Sequence, residues 1–147
     1  MAVENRAAPG LLRRLAAMFY DGLVLAAVLM VAGALWVAAH RAAAAPGDPL
    51  FRVYLVAVTA LFFAVFWTRG ETLGLRAWQL RLVGPDGRPP GWRRAFLRFG
   101  AAILSWLPLG LGFLWVLVDR DRLAWHDRLS GTRLVRRPAA GLRSADP

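Results

Sequence analysis

The chain has 147 residues, is 58% hydrophobic and carries a formal net charge of +10. Its length would suit one modest globular domain, but its composition places it in the membrane class. All 19 basic residues are arginine and cysteine is absent, which excludes disulfides, thiolate chemistry and Cys-based metal sites and leaves the redox compartment unread.

Three uncharged apolar runs organise the sequence: Gly22–Ala39, Val53–Thr68 and Phe99–Val118, of 18, 16 and 20 residues. A hydrocarbon core of ~30 Å takes roughly 20 helical residues, so the first and third runs fit and the second nearly does. Residues 1–10 read as a flexible head. Residues 11–39 then read as one helix without internal proline, in which Gly22 and Gly33 are tolerable if the helix lies in a membrane. Arg13 and Arg14, the apolar stretch behind them and the tract Ala42–Ala45 imitate a secretory signal peptide. That stretch exceeds the roughly 7 to 15 residues of a signal h-region, so the segment is expected to stay in the protein. Pro46, Gly47, Asp48 and Pro49 make a turn, and a second helix over 51–68 closes an antiparallel hairpin.

Residues 69–98 carry seven arginines against Glu71 and Asp86, a cytoplasmic signature. Arg6, Arg13 and Arg14 mark the N-terminal flank in the same way, while the hairpin loop has only Arg41 and Arg52. The expected orientation therefore has the N-terminus inside. Gly70-Glu71-Thr72-Leu73-Gly74 lacks the spacing and the lysine of a phosphate cradle and reads as a turn onto an amphipathic interfacial segment. Gln79-Leu80-Arg81-Leu82-Val83 alternates polar and apolar residues before Gly84-Pro85-Asp86-Gly87, which is strand followed by turn. Thr132–Arg136 alternates likewise after Ser130-Gly131, and the two short strands are expected to pair.

A third helical segment is expected over 93–118, interrupted by Pro108, Gly110 and Gly112 into halves too short to span. A straight crossing would carry seven C-terminal arginines to the outer side, against the charge bias. A re-entrant hairpin or strongly kinked pair is favoured, and a crossing stays open. The expected fold is thus all-α transmembrane: a helical hairpin plus a third kinked or re-entrant element, with a small cytoplasmic two-strand β element. Its membrane domain spans 11–137, and 138–147 form a flexible tail.

Asp21 is the most informative residue, a carboxylate at the start of the first run with nothing charged after it until Arg41. An acid inside a bilayer is costly and marks a functional site or a fold-critical pair; at the interface it would simply be hydrated. Arg14 lies seven residues earlier on the same helical face, about 10 Å along the axis, too far for an easy pair within one helix. It can snorkel to the headgroups, and Arg98, at the entry of the third run, is a candidate partner for Asp21. His126-Asp127 adjoins the end of the last run, but adjacent side chains are expected to point apart and no nucleophile accompanies them. A structural role for Asp127, accepting hydrogen bonds or pairing an arginine, outweighs catalysis or metal binding. Seven tryptophans, Trp36, Trp67, Trp78, Trp92, Trp106, Trp115 and Trp125, fall mostly near run ends, as an interfacial belt would.

Arg14-Leu15-Ala16-Ala17, Asp21 and His126-Asp127-Arg128-Leu129-Ser130-Gly131-Thr132 together resemble the RDD family, named for one arginine and two aspartates. On that resemblance Arg14 is the arginine, Asp21 the aspartate of the first helix and Asp127 the later aspartate. Gly70–Arg76, Leu82-Val83 and Asp86-Gly87 are similar to the segment after helix two, and Arg98 matches an arginine before the last run. The likeness covers about residues 13–135. It implies a bacterial multi-pass inner-membrane protein with a part in transport, and supplies no substrate.

Two functions follow as expectations. In the first, Asp21 with a basic partner forms a titratable or ion-binding site, with cation or proton exchange as its simplest form; three helical elements make a small pathway, so the working unit would be a homo-oligomer or include a membrane partner. In the second, the chain is a non-transporting scaffold whose arginine-rich cytoplasmic face binds anionic lipid headgroups or a partner protein. An enzyme is not expected, since no nucleophile, metal-ligand set or carboxylate pair is visible. Nor is a cofactor, a metal, or nucleic acid as a partner, because the arginines flank apolar runs rather than striping a soluble face.

Overall fold

A computed structural model describes residues 9–41, 44–45, 47–108 and 110–137. The expected flexible tail, most of the head, and Ala42, Ala43 and Pro46 of the hairpin loop lie outside these residues.

The first helix, α1, spans Leu11–His40 and the second, α2, Pro49–Thr68. Long apolar runs free of internal proline sustain both. Asp48 caps α2 by accepting hydrogen bonds from the N–H groups of Leu50 and Phe51, and Pro49 sits where a helix tolerates proline. Both helices are long and apolar enough to cross a membrane, and almost none of their apolar length is buried within the chain. Phe19, Leu23, Met30, Leu35, Val53 and Val56 all face outward. That much bare hydrocarbon surface is stable only against lipid or another apolar partner. The hairpin is pinned at its loop end, where the Tyr54 hydroxyl donates to the Ala32 carbonyl and Trp36 packs against His40, Phe51 and Tyr54.

After α2 the chain turns through Gly70, whose φ of +82 suits the residue without a side chain. The short helix α3 follows over Leu73–Ala77, capped by the Thr72 hydroxyl, and leads into β1, Leu80–Val83. Gln79 does not join the strand; it adopts a left-handed φ of 57 that breaks the alternation one residue early. Next comes α4, Trp92–Trp106. The chain then turns at Pro108, and Gly110, with φ +80, precedes α5, Leu111–Leu114, and one 3-10 turn, Trp115–Leu117. The third run therefore divides unequally, one long helix and one short, because the interior of α4 holds no breaker before Pro108. Gly112 lies so close to α4 that a Cβ there would come within 2.6 Å of the Ser105 Cβ.

A further helix absent from the sequence reading, α6, spans Trp125–Ser130 and ends on Gly131, and β2, Arg133–Arg136, completes the chain. The two strands pair antiparallel, with Leu80 opposite Arg136 and Val83 opposite Arg133. The fold is thus mostly helical with two long apolar helices and a small two-strand sheet, as the sequence suggested. Its hydrophobic core gathers at the sheet end, where Ala17, Ala64, Trp67, Leu75, Leu80, Leu82, Ala95 and Leu134 meet. Alanines at the contacts of α1, α2 and α4 let their backbones approach closely.

Candidate functional site

Two buried carboxylates stand at this end. Asp127 lies in the first turn of α6 and is fully buried. Its Oδ2 accepts from Arg14 Nη1 at 2.9 Å and from the Ala124 N–H at 3.1 Å, and its Oδ1 accepts from Arg98 Nη1 at 2.6 Å. Arg14 also donates to the Arg122 carbonyl at 2.8 Å, and Arg98 to the Thr132 hydroxyl at 2.6 Å. One carboxylate thus ties α1, α4 and α6 together across 113 residues of sequence. A buried charge is tolerable only with such partners. Burial alone would raise the Asp127 pKa, but the Arg98 and Arg14 guanidiniums overcome it and hold the carboxyl down at about 2.

His126 packs against Phe113 and brings Nε2 to 3.6 Å from Asp127 Oδ1, so the adjacent side chains do not point apart as expected. Both lean towards the same cluster, where α6 packs against α4. Burial first, and then the charge of Arg98, press the imidazole down to about 3, so it is neutral at physiological pH. Among the described residues no group of three or more His, Asp or Glu gathers as metal ligands do.

Asp21 sits on the buried face of α1 that also carries Arg14 and Ala17. Its Oδ2 accepts from the Thr72 hydroxyl at 2.5 Å and its Oδ1 from the Gly74 N–H at 2.7 Å. The Thr72 Oγ1 in turn accepts from the Leu75 N–H at 3.1 Å. Gly74 is required by this contact, since a Cβ there would run into the Ala17 carbonyl and come within 2.8 Å of the Asp21 carboxyl carbon. Arg98 is therefore not the partner of Asp21. It is engaged by Asp127 and Thr132, and among the described residues no cation lies within salt-bridge distance of Asp21.

Of the four residues singled out from sequence, the structure brings Arg14, Arg98 and Asp127 into one cluster and sets Asp21 in another. The sequence reading places Thr72 and Gly74 only in a turn and not beside Asp21; the visible signal was a Thr-x-Gly immediately after the hairpin, a cap beside a residue that permits close approach. Trp67 also departs from the belt assignment, being buried with the Arg98 guanidinium 5.2 Å above its ring. A cleft of about 540 Å³ opens between α1, α2 and α4, and Arg14, Asp21, Arg98 and His126 all contribute to its wall.

The chain matches the RDD family over residues 8–131, a stretch that holds every residue of both carboxylate sites except Thr132. No curated protein and no solved structure matches it. The two apolar helices and this match agree on a membrane protein, and the chain belongs to the RDD family.

Proposed function

We propose that the protein takes part in transport, with Asp21 as the group that exchanges a proton or a cation. The observation that carries this reading is the company Asp21 keeps: neutral donors from Thr72 and Gly74, a position at the start of a long uncharged run within α1, and a wall shared with the cleft. A carboxylate held by neutral donors can gain or lose a positive charge without breaking an ion pair, whereas Asp127 cannot. Cation or proton exchange is the simplest form, and no enzymatic step is invoked. The test is flux in proteoliposomes. Asp21→Asn is expected to abolish ion-coupled flux while the protein still folds; undiminished flux removes Asp21 from the pathway.

The same proposal includes an arrangement in a bacterial inner membrane. In it, α4 and α5 form a re-entrant element, both termini are cytoplasmic, and the working unit is a homo-oligomer or includes a membrane partner. The strand pairing supports this, because β1 precedes the third apolar run and β2 follows it, yet they lie side by side. A bend of 108° between α4 and the α5 segment points the same way. Since the chain has no cysteine, single cysteines report topology directly. In intact cells a membrane-impermeant maleimide is expected to label Ala43→Cys and spare Ser144→Cys; labelling of Ser144→Cys would mean that the third run crosses.

A second reading, a non-transporting scaffold, draws support from the Arg14–Asp127–Arg98 cluster, whose closed pairing is that of an architectural joint. In that reading the exposed arginines bind anionic headgroups or a partner, and neutralising Asp21 would lower stability rather than flux.

A further inference from the structure

The cleft between α1, α2 and α4 has a polar end and an apolar end. Arg14, Arg98 and His126 stand at the first; Leu25, Leu55 and Ile103 line the second. Its volume of about 540 Å³ falls in the range of roughly 300–1,000 Å³ usual for ligand sites. Two polar atoms at the polar end lack partners. Arg98 Nε and His126 Nδ1 make no hydrogen bond, and both are closed off from the cleft itself.

The charge there is also uncompensated. Arg14 and Arg98 bring two positive charges to the single carboxylate of Asp127, and His126 is neutral. Asp21, the remaining charged group of the wall, lies about 10 Å further along α1 by helical rise, with both oxygens engaged by Thr72 and Gly74. An occupant should therefore be an anion at one end and hydrocarbon at the other. The hairpin's bare apolar faces show that the cleft lies among helices meant for lipid contact, where an acyl chain is the hydrocarbon at hand.

We propose that this cleft is a binding site for one anionic phospholipid of the surrounding bilayer, with an acyl chain between α1, α2 and α4 and its phosphate drawn to the Arg14 and Arg98 guanidiniums. The phosphate offsets the extra positive charge. The chain fills space that the helices leave open. The site shares its cleft with Asp21 but does not use the Asp21 carboxylate, so either assignment can fail alone: Asp21→Asn should leave lipid binding in place.

The experiment is native mass spectrometry of the full chain in detergent, titrated with phosphatidylglycerol, with phosphatidylcholine of identical acyl chains, or with oleate. One phosphatidylglycerol is expected to bind at least about five-fold more tightly than phosphatidylcholine, the effect of roughly one favourable charge contact. Gly22→Phe is the blocking variant, because Gly22 lies on the cleft wall and nothing stands within 4 Å of a Cβ there. It should weaken the bound phosphatidylglycerol by about ten-fold, since displacing even two buried CH₂ groups costs that much. Equal binding of the two phospholipids overturns the proposal, as does tighter binding of oleate than of phosphatidylglycerol or an unchanged affinity in folded Gly22→Phe. If Gly22→Phe does not fold, the comparison of ligands on the unaltered chain decides alone.

Discussion

Asp21 and Asp127 are both buried carboxylates at the same end of the molecule, and they differ in what holds them. Asp127 is enclosed by two guanidiniums and a backbone N–H, so its charge is fixed and its position ties three helices together. Asp21 is held by one hydroxyl and one backbone N–H from the short segment after α2. Two acids of similar burial thus suit opposite tasks: a charge that cannot leave its partners builds structure, and one with no cation beside it among the described residues is the group proposed to exchange. Burial by itself does not distinguish them; the partner set does.

The comparison breaks most visibly at Arg98. Arg98→Ala strips Asp127 of its shortest ion pair and leaves Thr132 without its donor, and removing one member of a buried pair costs about 3–5 kcal/mol. The variant is expected to lose its cooperative thermal transition, or most of it, in a melt followed by circular dichroism. A loss within the ordinary range of a surface substitution would show the cluster to be dispensable.

A smaller effect separates His126 from Asp127 by pH. His126 has a folded pKa of about 3 against an unfolded 6.5, so the unfolded chain binds more protons between those values. The stability of the neutral, buried imidazole is therefore complete above about pH 6.5 and is lost as pH falls towards 3. Asp127, lowered to about 2 from 3.8, adds its own loss only below about pH 4. Melts of His126→Phe should fall less between about pH 6.5 and 4 than those of the unaltered chain. Parallel curves for the two proteins would place the decline elsewhere.

Much of this architecture was legible in the residues. Uninterrupted apolar runs marked α1 and α2, and alternation at Leu80–Val83 and Arg133–Arg136 marked strands that do pair. Pro108 located the end of α4 closely, but not how short α5 would be. The pairing of charges was less accessible. Arg14 and Arg98 lie 113 and 29 residues from Asp127, and nothing local in the sequence says which acid takes which arginine. Assigning Arg98 to Asp21 followed charge complementarity alone, and it failed because a backbone N–H and a threonine hydroxyl, groups present in any sequence, satisfied Asp21 instead. α6 was missed because six residues carry too little periodicity to stand out.

The most direct test of the division between the two acids is to prepare Asp21→Asn and Asp127→Asn together and record, for each, the thermal melt and the flux in proteoliposomes. The account predicts that Asp127→Asn loses its folded transition, whereas Asp21→Asn melts close to the unaltered chain and carries no flux. The reverse order of stabilities, or full flux through folded Asp21→Asn, would contradict it.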